Sequence, residues 1–158
     1  MKKILFIAFF ILATAIPAGA QVYKMDNVYE MGYESILSYM RVIEGEGSGE
    51  HTFLLWGHQY YGEDANTAYE ADYYRAGAVE MYTFLRSALD FTVKYRETDR
   101  VLTYISGVKL RTIKTMGFRY TLIFDKEGKV CCRMTEKYLE QMLASFVRFC
   151  TENGIIYS

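Results

Sequence analysis

Residues 101–134 read VLTYISGVKLRTIKTMGFRYTLIFDKEGKVCCRM, and this stretch decides the fold class. It divides into four short segments rich in β-branched and aromatic residues, Val101 to Ile105, Val108 to Thr115, Phe118 to Phe124 and Val130 to Met134. Such segments fit a pleated, half-buried surface better than a helix. Asp125-Lys126-Glu127-Gly128-Lys129 between the last two has the composition of a hairpin turn, with Gly128 supplying a positive φ at no steric cost. The segments therefore predict a three- or four-stranded antiparallel meander.

Downstream, the pattern changes to a helical period. Thr135 is a good N-cap, Glu136 sits favourably at the positive end of a helix dipole, and Asn153-Gly154 is a stop signal, which predicts a helix over 136–152. Leu139, Leu143, Phe146 and Cys150 fall on one stripe of that helix. Upstream, Thr67-Ala68-Tyr69-Glu70 matches a capping box, and Tyr74, Ala78, Met81, Leu85 and Ala88 follow at helical spacing. A helix over about 68–96 is expected from these signals. Ser38 to Ile43 and Thr52 to Gly57 would form a hairpin across the glycine-rich Glu44–Glu50 segment, but Tyr29, Tyr33, Ile36, Met40 and Ile43 also match a helical period. A short helix running into a strand is the preferred reading there. The architecture expected is α+β, an antiparallel sheet of about 4–6 strands covered on one side by two main helices.

At the N-terminus Lys2 and Lys3 precede an apolar run from Ile4 to Ile16 and the small-residue site Ala18-Gly19-Ala20, the order of a cleavable export signal. Such a run rises about 20 Å as a helix, short of the ~30 Å hydrocarbon core of a bilayer. The residue after the site is Gln21, not the cysteine that lipid anchoring requires. Residues 1–20 are therefore expected to be removed and 21–158 to form one domain, periplasmic or extracellular, with no membrane anchor left. The only proline, Pro17, lies in the signal, and no repeat or linker interrupts the rest.

The chain of 158 residues has a net charge of −1, and loss of Lys2 and Lys3 would make it more acidic. Nucleic acid is not an expected partner for an exported protein of that sign. The charge is uneven along the chain. Residues 26–80 contain a run of acids opposed only by Arg41 and Arg75, whereas residues 101–134 contain Lys109, Arg111, Lys114, Arg119, Lys126, Lys129 and Arg133 against Asp125 and Glu127. Either two solvated faces attract each other within the fold, or a basic strand surface meets an anionic partner such as a phosphate or lipid head group. Lys109 and Arg111 alternate onto one strand face and are the candidate ligand-binding cations, with Lys114, Arg119, Lys129 and Arg133 extending the patch.

Other constellations are less specific. Trp56, His58, Tyr60 and Tyr61 form an aromatic cluster able to stack on a sugar ring, although tyrosines more often pack sheet edges with their hydroxyls in water. His51 and His58 are seven positions apart, which fits neither helical nor strand spacing for two metal ligands, so no metal is expected. Cys132 alternates with Val130 and Met134, and Cys150 lies on the apolar stripe of the last helix, making them the candidate disulfide; the alternative is two buried thiols. Cys131 would be left to pair between chains or stay a thiol. No phosphate-binding glycine loop, dinucleotide fingerprint, nucleophile elbow, C-x-x-C or EF-hand occurs, and no cofactor or catalytic residue is assigned.

The run Thr98-Asp99-Arg100-Val101-Leu102-Thr103-Tyr104-Ile105-Ser106-Gly107-Val108-Lys109, with the hairpin and helix after it, resembles small exported proteins of unknown function from Bacteroidetes. The resemblance implies an envelope or extracellular setting and brings no ligand with it. The expected function is a non-catalytic binding domain for a protein or cell-surface component, with homodimerisation possible in principle. The alternatives are a small metal- or Cys/His-dependent hydrolase and a glycan-binding module.

Overall fold

The computed structural model describes residues 21–25, 28–32, 38–44, 51–60, 68–115, 117–128 and 131–158, with the backbone alone described for 21–44, 57–71 and 131 within those ranges. Five strands come first: β1 (Gln21–Met25), β2 (Val28–Gly32), β3 (Ser38–Glu44), β4 (His51–Tyr60) and β5 (Ala68–Ala76). They pair in sequence order as an antiparallel meander. Helix α1 (Ala78–Lys94) follows, then a second meander of β6 (Leu102–Ile105), β7 (Val108–Thr115), β8 (Phe118–Phe124) and β9 (Cys131–Met134), closed by α2 (Glu136–Glu152). The α+β class is as expected. The single sheet is not: the strands form two sheets, of five and four strands, each meander ending in a helix of 17 residues.

The second half follows the sequence signals closely. Ser106 and Gly107 both have positive φ, as a two-residue hairpin loop matched to strand twist requires. Gly128 is at φ 69°, and its N–H donates to the Asp125 carbonyl at 3.0 Å. In α2 the Thr135 hydroxyl accepts from the Tyr138 N–H at 3.2 Å, and past Asn153 the left-handed Gly154 lets Ile155 N–H donate back to Cys150 at 2.8 Å.

Two expectations for the first half are corrected. Residues 68–76 are strand β5, not the first turns of a helix; α1 begins at Ala78 with Gly77 as an extended N-cap that makes no side-chain bond. Tyr69, Tyr73 and Tyr74 have strand propensity, and pairing with β4 from Phe53↔Ala76 to Tyr60↔Ala68 outweighs the local helical signals. Beyond Ala78 the predicted stripe is right, since Met81, Leu85 and Ala88 are fully buried. The segment read as a short helix forms β2 and β3 instead, and Ser38↔Gly57 through Glu44↔His51 is the hairpin alternative. The residues joining those two strands lie outside the described residues.

One core unites the elements. The helices pack on each other, β9 touches β4, and Phe53, Leu55, Met81, Phe84, Leu110, Ile123, Leu139 and Phe146 share a single buried cluster. The Phe53 ring of β4 meets Phe146 of α2 edge-on at 4.8 Å, and Tyr74 of β5 stacks on Phe84 of α1 at 4.4 Å. The β4–β5 register shifts between Leu55 (with Tyr74) and Trp56 (with Asp72), so Tyr73 is an extra residue in β5. This bulge lets two consecutive tyrosines reach the core, Tyr73 being buried and Tyr74 packed against the cluster.

Removing the Phe146 ring should lower stability by about 3–5 kcal/mol, because Phe53 and the other rings around it cannot close the void. Thr135→Ala, which removes only the helix cap, should lower it by about 1 kcal/mol. Chemical denaturation of both variants checks the ranking; equal losses would show that Phe146 does not carry the contact between the first sheet and α2.

Candidate binding surface

Pairing register fixes what each face of the second sheet presents. The set Val108, Leu110 and Thr112 of β7, with Thr121 and Ile123 of β8 and Cys132 and Met134 of β9, is buried on the helix side. The alternate set therefore faces outward. One row across it is Leu102, Arg111, Leu122 and Arg133, successive partners in β6, β7, β8 and β9. A second row contains Tyr104, Lys109 and Phe124, and two shorter rows are Ile113 with Tyr120 and Thr115 with Phe118. At strand and residue spacings of ~4.8 and ~3.4 Å these rows cover roughly 15 by 20 Å.

The side chains on this face divide into a buried centre, with Leu122 4% and Phe124 9% exposed, and an open rim. Every outward position of β8 is apolar or aromatic (Phe118, Tyr120, Leu122, Phe124), whereas the helix-facing positions include Arg119 and Thr121. Phe118 and Tyr104 are each 64% exposed and Leu102 48%. Lys109 Nζ lies 4.7 Å and Arg111 Cζ 5.6 Å from the centre of the Phe124 ring, a pair of cation–π contacts that hold both charges flat on the sheet. No acidic residue occupies an outward position on any of the four strands.

The structure thus divides the expected basic patch. Lys109, Arg111 and Arg133 share the outer face, but Lys114 and Arg119 pair with each other in the opposite alternation, and Arg119 Nη2 is 3.1 Å from Glu97 Oε2 beyond the end of α1. Lys129 lies outside the described residues.

On the helix side a cavity of about 200 Å³ opens between the end of α1, β7, β8 and the start of α2. The Thr92 hydroxyl donates to the Ala88 carbonyl at 2.8 Å, so the 2.7 Å contact between the Thr92 and Thr121 hydroxyls has Thr121 as donor. Arg96 pairs with Glu136 at 3.2 Å at the same site, and Thr112 bridges Thr98 and Val101 backbone groups at 2.8 and 3.0 Å. The lining offers ion-pair and hydroxyl contacts and contains no histidine or cysteine.

Of the aromatic sequence candidates, only Trp56 has a described side chain. Trp56 is 7% exposed, so its indole presents no open face to a sugar. His58 and Tyr60 lie in β4, with side chains outside the described residues, and Tyr61 lies outside them entirely. β4 is unbroken from His51 to Tyr60, and positions seven apart on an unbroken strand belong to opposite faces. His51 packs edge-on to Phe149 at 6.5 Å. Among the described residues no group of three His, Cys, Asp or Glu side chains converges on a metal position.

Cys132 and Cys150 are both fully buried in the core, as their periodicity implies, but they are thiols and the expected bridge is not formed. Desolvation pushes the Cys150 thiol up to about 12, which suppresses the thiolate that disulfide exchange needs.

Sequence reasoning missed Tyr104 and Phe118 as surface residues. The signal was present in β8, where the two alternating sets differ in polarity, but alternation alone ranks the apolar set as inward. Comparison with protein-family models, curated proteins and solved structures finds no match to the chain.

Burial of the Cys150 thiol ties stability to pH. The folded thiol holds its proton above the ordinary value of 9.0, so stability is unaffected below that pH and falls as pH rises towards about 12, by about 1.4 kcal/mol per unit from this group. Denaturation of the parent chain and Cys150→Ala across that window should show this component only in the parent. Parallel slopes would mean that the thiol ionises freely in the fold.

Proposed function

We propose that the chain is an exported, non-catalytic binding domain that holds an anionic cell-surface component on the outer face of its second sheet. The observation that carries this reading is the inverted polarity of β8: Phe118, Tyr120, Leu122 and Phe124 face away from the helices, Phe118 exposed and Leu122 and Phe124 buried beside Lys109, Arg111 and Arg133, and no acid occupies an outward strand position. A surface of aromatics and cations suits a partner that offers both negative charge and something to pack against. Arginine and tyrosine are also the residues that most often carry binding energy at interfaces. The cation–π contacts of Lys109 and Arg111 with Phe124 support it further, since charges already held on the sheet lose less freedom on binding.

Export is supported by the Lys-Lys start, apolar run and Ala18-Gly19-Ala20 site. β1 begins at Gln21, directly after that site, so cleavage there leaves all eleven described elements whole. No described helix is long and apolar enough to cross a membrane.

The test is co-sedimentation with phosphatidylethanolamine vesicles containing or lacking phosphatidylglycerol, alongside retention on immobilised heparin as an acidic polysaccharide. Binding to one anionic probe is expected and should weaken steeply with salt. At about 1 kcal/mol per cation near an anionic surface, the Lys109→Ala, Arg111→Ala double variant should lose roughly thirty-fold in affinity. Tyr104→Ala, Phe118→Ala should lose affinity without changing the salt dependence. Absence of binding to both anionic probes, or binding unchanged in the double cation variant, would overturn the reading.

A further inference from the structure

We infer that β6 is a self-complementary edge at which two copies of the chain join antiparallel strands into one continuous eight-stranded sheet. This goes beyond the binding face proposed above and does not depend on it.

The two sheets have four edge strands, β1, β5, β6 and β9. Three carry charge: Lys24 in β1, Glu70, Asp72 and Arg75 in β5, and Arg133 in β9. Charge on an edge is the usual guard against edge-to-edge pairing. β6, with the sequence Leu-Thr-Tyr-Ile, has none, and it also lacks proline. Leu102 and Tyr104 are 48% and 64% exposed.

Hydrogen-bond parity defines how a second strand would fit. Thr112 N–H donates to the Val101 carbonyl at 2.9 Å, and Ile105 pairs with Val108 across the two-residue Ser106-Gly107 loop. In an antiparallel ladder the bonded residues alternate, so Thr103 bonds towards β7 while the N–H and C=O of Leu102 and of Tyr104 point away from it. Among the described residues no strand lies on that side. A two-fold axis normal to the sheet, passing by Thr103, brings Leu102 opposite Tyr104 of the second copy and Tyr104 opposite its Leu102. Four outward backbone groups on each copy are then paired, and each exposed apolar side chain covers its counterpart on the same face. An uncharged edge lets a second copy approach without burying an unpaired charge, and that property distinguishes β6 from the other three.

The contact is short. It falls towards the range below about 1,200 Å² typical of transient association, so dimers should form at tens to hundreds of micromolar and not at nanomolar concentration.

Sedimentation equilibrium of the chain purified from an exporting host tests this. A concentration-dependent monomer–dimer equilibrium is expected. Tyr104→Pro removes an N–H that the β6–β7 ladder does not use and should weaken dimerisation at least tenfold, with the monomer's far-ultraviolet circular dichroism unchanged. Thr103→Cys places two thiols at the axis, where facing Cα atoms in a non-bonded pair lie ~4.5 Å apart, and should give a dimer whose cross-link maps to position 103 in both chains. A chain that stays monomeric at millimolar concentration overturns the inference. So does a dimer that Tyr104→Pro leaves intact. If Tyr104→Pro fails to fold, the cross-link decides: failure to form a 103-to-103 bond overturns it.

Discussion

The contact between Phe53 on β4 and Phe146 on α2, with centres 4.8 Å apart, ties the first sheet to the last helix, and much of the structure depends on it. Phe149 adds a second edge-on contact to Phe53 at 6.2 Å, and Tyr82 of α1 and Tyr157 of the C-terminal segment also pack on Phe146. Elements separated by almost the whole described chain thus share one cluster, and both helices are committed to it. Once the helices have covered one side of each sheet, neither is left to cover the other side. The outer face of the second sheet follows from that allocation.

That allocation also accounts for the inverted polarity of β8. At the end of the sheet near the C-terminus of α1, the inward side meets polar groups and not further apolar core: Thr121 meets the Thr92 hydroxyl at 2.7 Å and Arg119 reaches Glu97 at 3.1 Å. A buried hydroxyl is tolerated when it is hydrogen-bonded, and the Thr92 to Ala88 bond completes that chain. With Arg119, Thr121 and Ile123 placed inward, the two-residue period sends Phe118, Tyr120, Leu122 and Phe124 outward as a set. A one-residue slip of β8 would turn its aromatics towards the helices but would strand Thr92 without its partner and turn Ile123 out of the core. The register holds because several inward contacts act together.

What was legible in the sequence depended on whether local and long-range signals agreed. α2 carried a cap, an apolar stripe and a stop that all named the same boundaries, and they are the observed ones. The hairpin at Gly128 was equally local. Residues 68–76 carried contradictory signals, and pairing with β4, which no local window contains, decided for a strand. The same holds for the number of sheets, since strand order is a long-range property. Periodicity correctly put Cys132 and Cys150 in the core but said nothing of the distance or ionisation that a bridge demands. At the candidate binding face, alternation made Lys109 and Arg111 neighbours and already put Lys114 on the opposite side of the same strand, but only the β7–β8 register shows that Arg119 lies beside Lys114. Alternation could not show that Trp56 is covered.

The outer face and the β6 edge share residues, which gives them a joint consequence. Leu102 and Tyr104 are the β6 ends of the rows that contain Arg111 and Lys109. A two-fold axis normal to the sheet keeps outward residues outward, so pairing through β6 continues those rows into the second copy. The two β7 strands then lie three strand spacings apart, roughly 14 Å, far enough that their cations scarcely repel at physiological ionic strength. Both sets face the same way. A weak dimer of this kind engages an extended anionic surface twice, and the second engagement is favoured by the high local concentration that the first creates. Leu102 and Tyr104 in turn become less exposed as they pair, so the apolar part of the free surface shrinks while its charge doubles. Surface binding and self-association then favour each other by linkage: whatever holds two copies side by side on a surface raises their tendency to pair, and pairing raises the affinity of both for that surface.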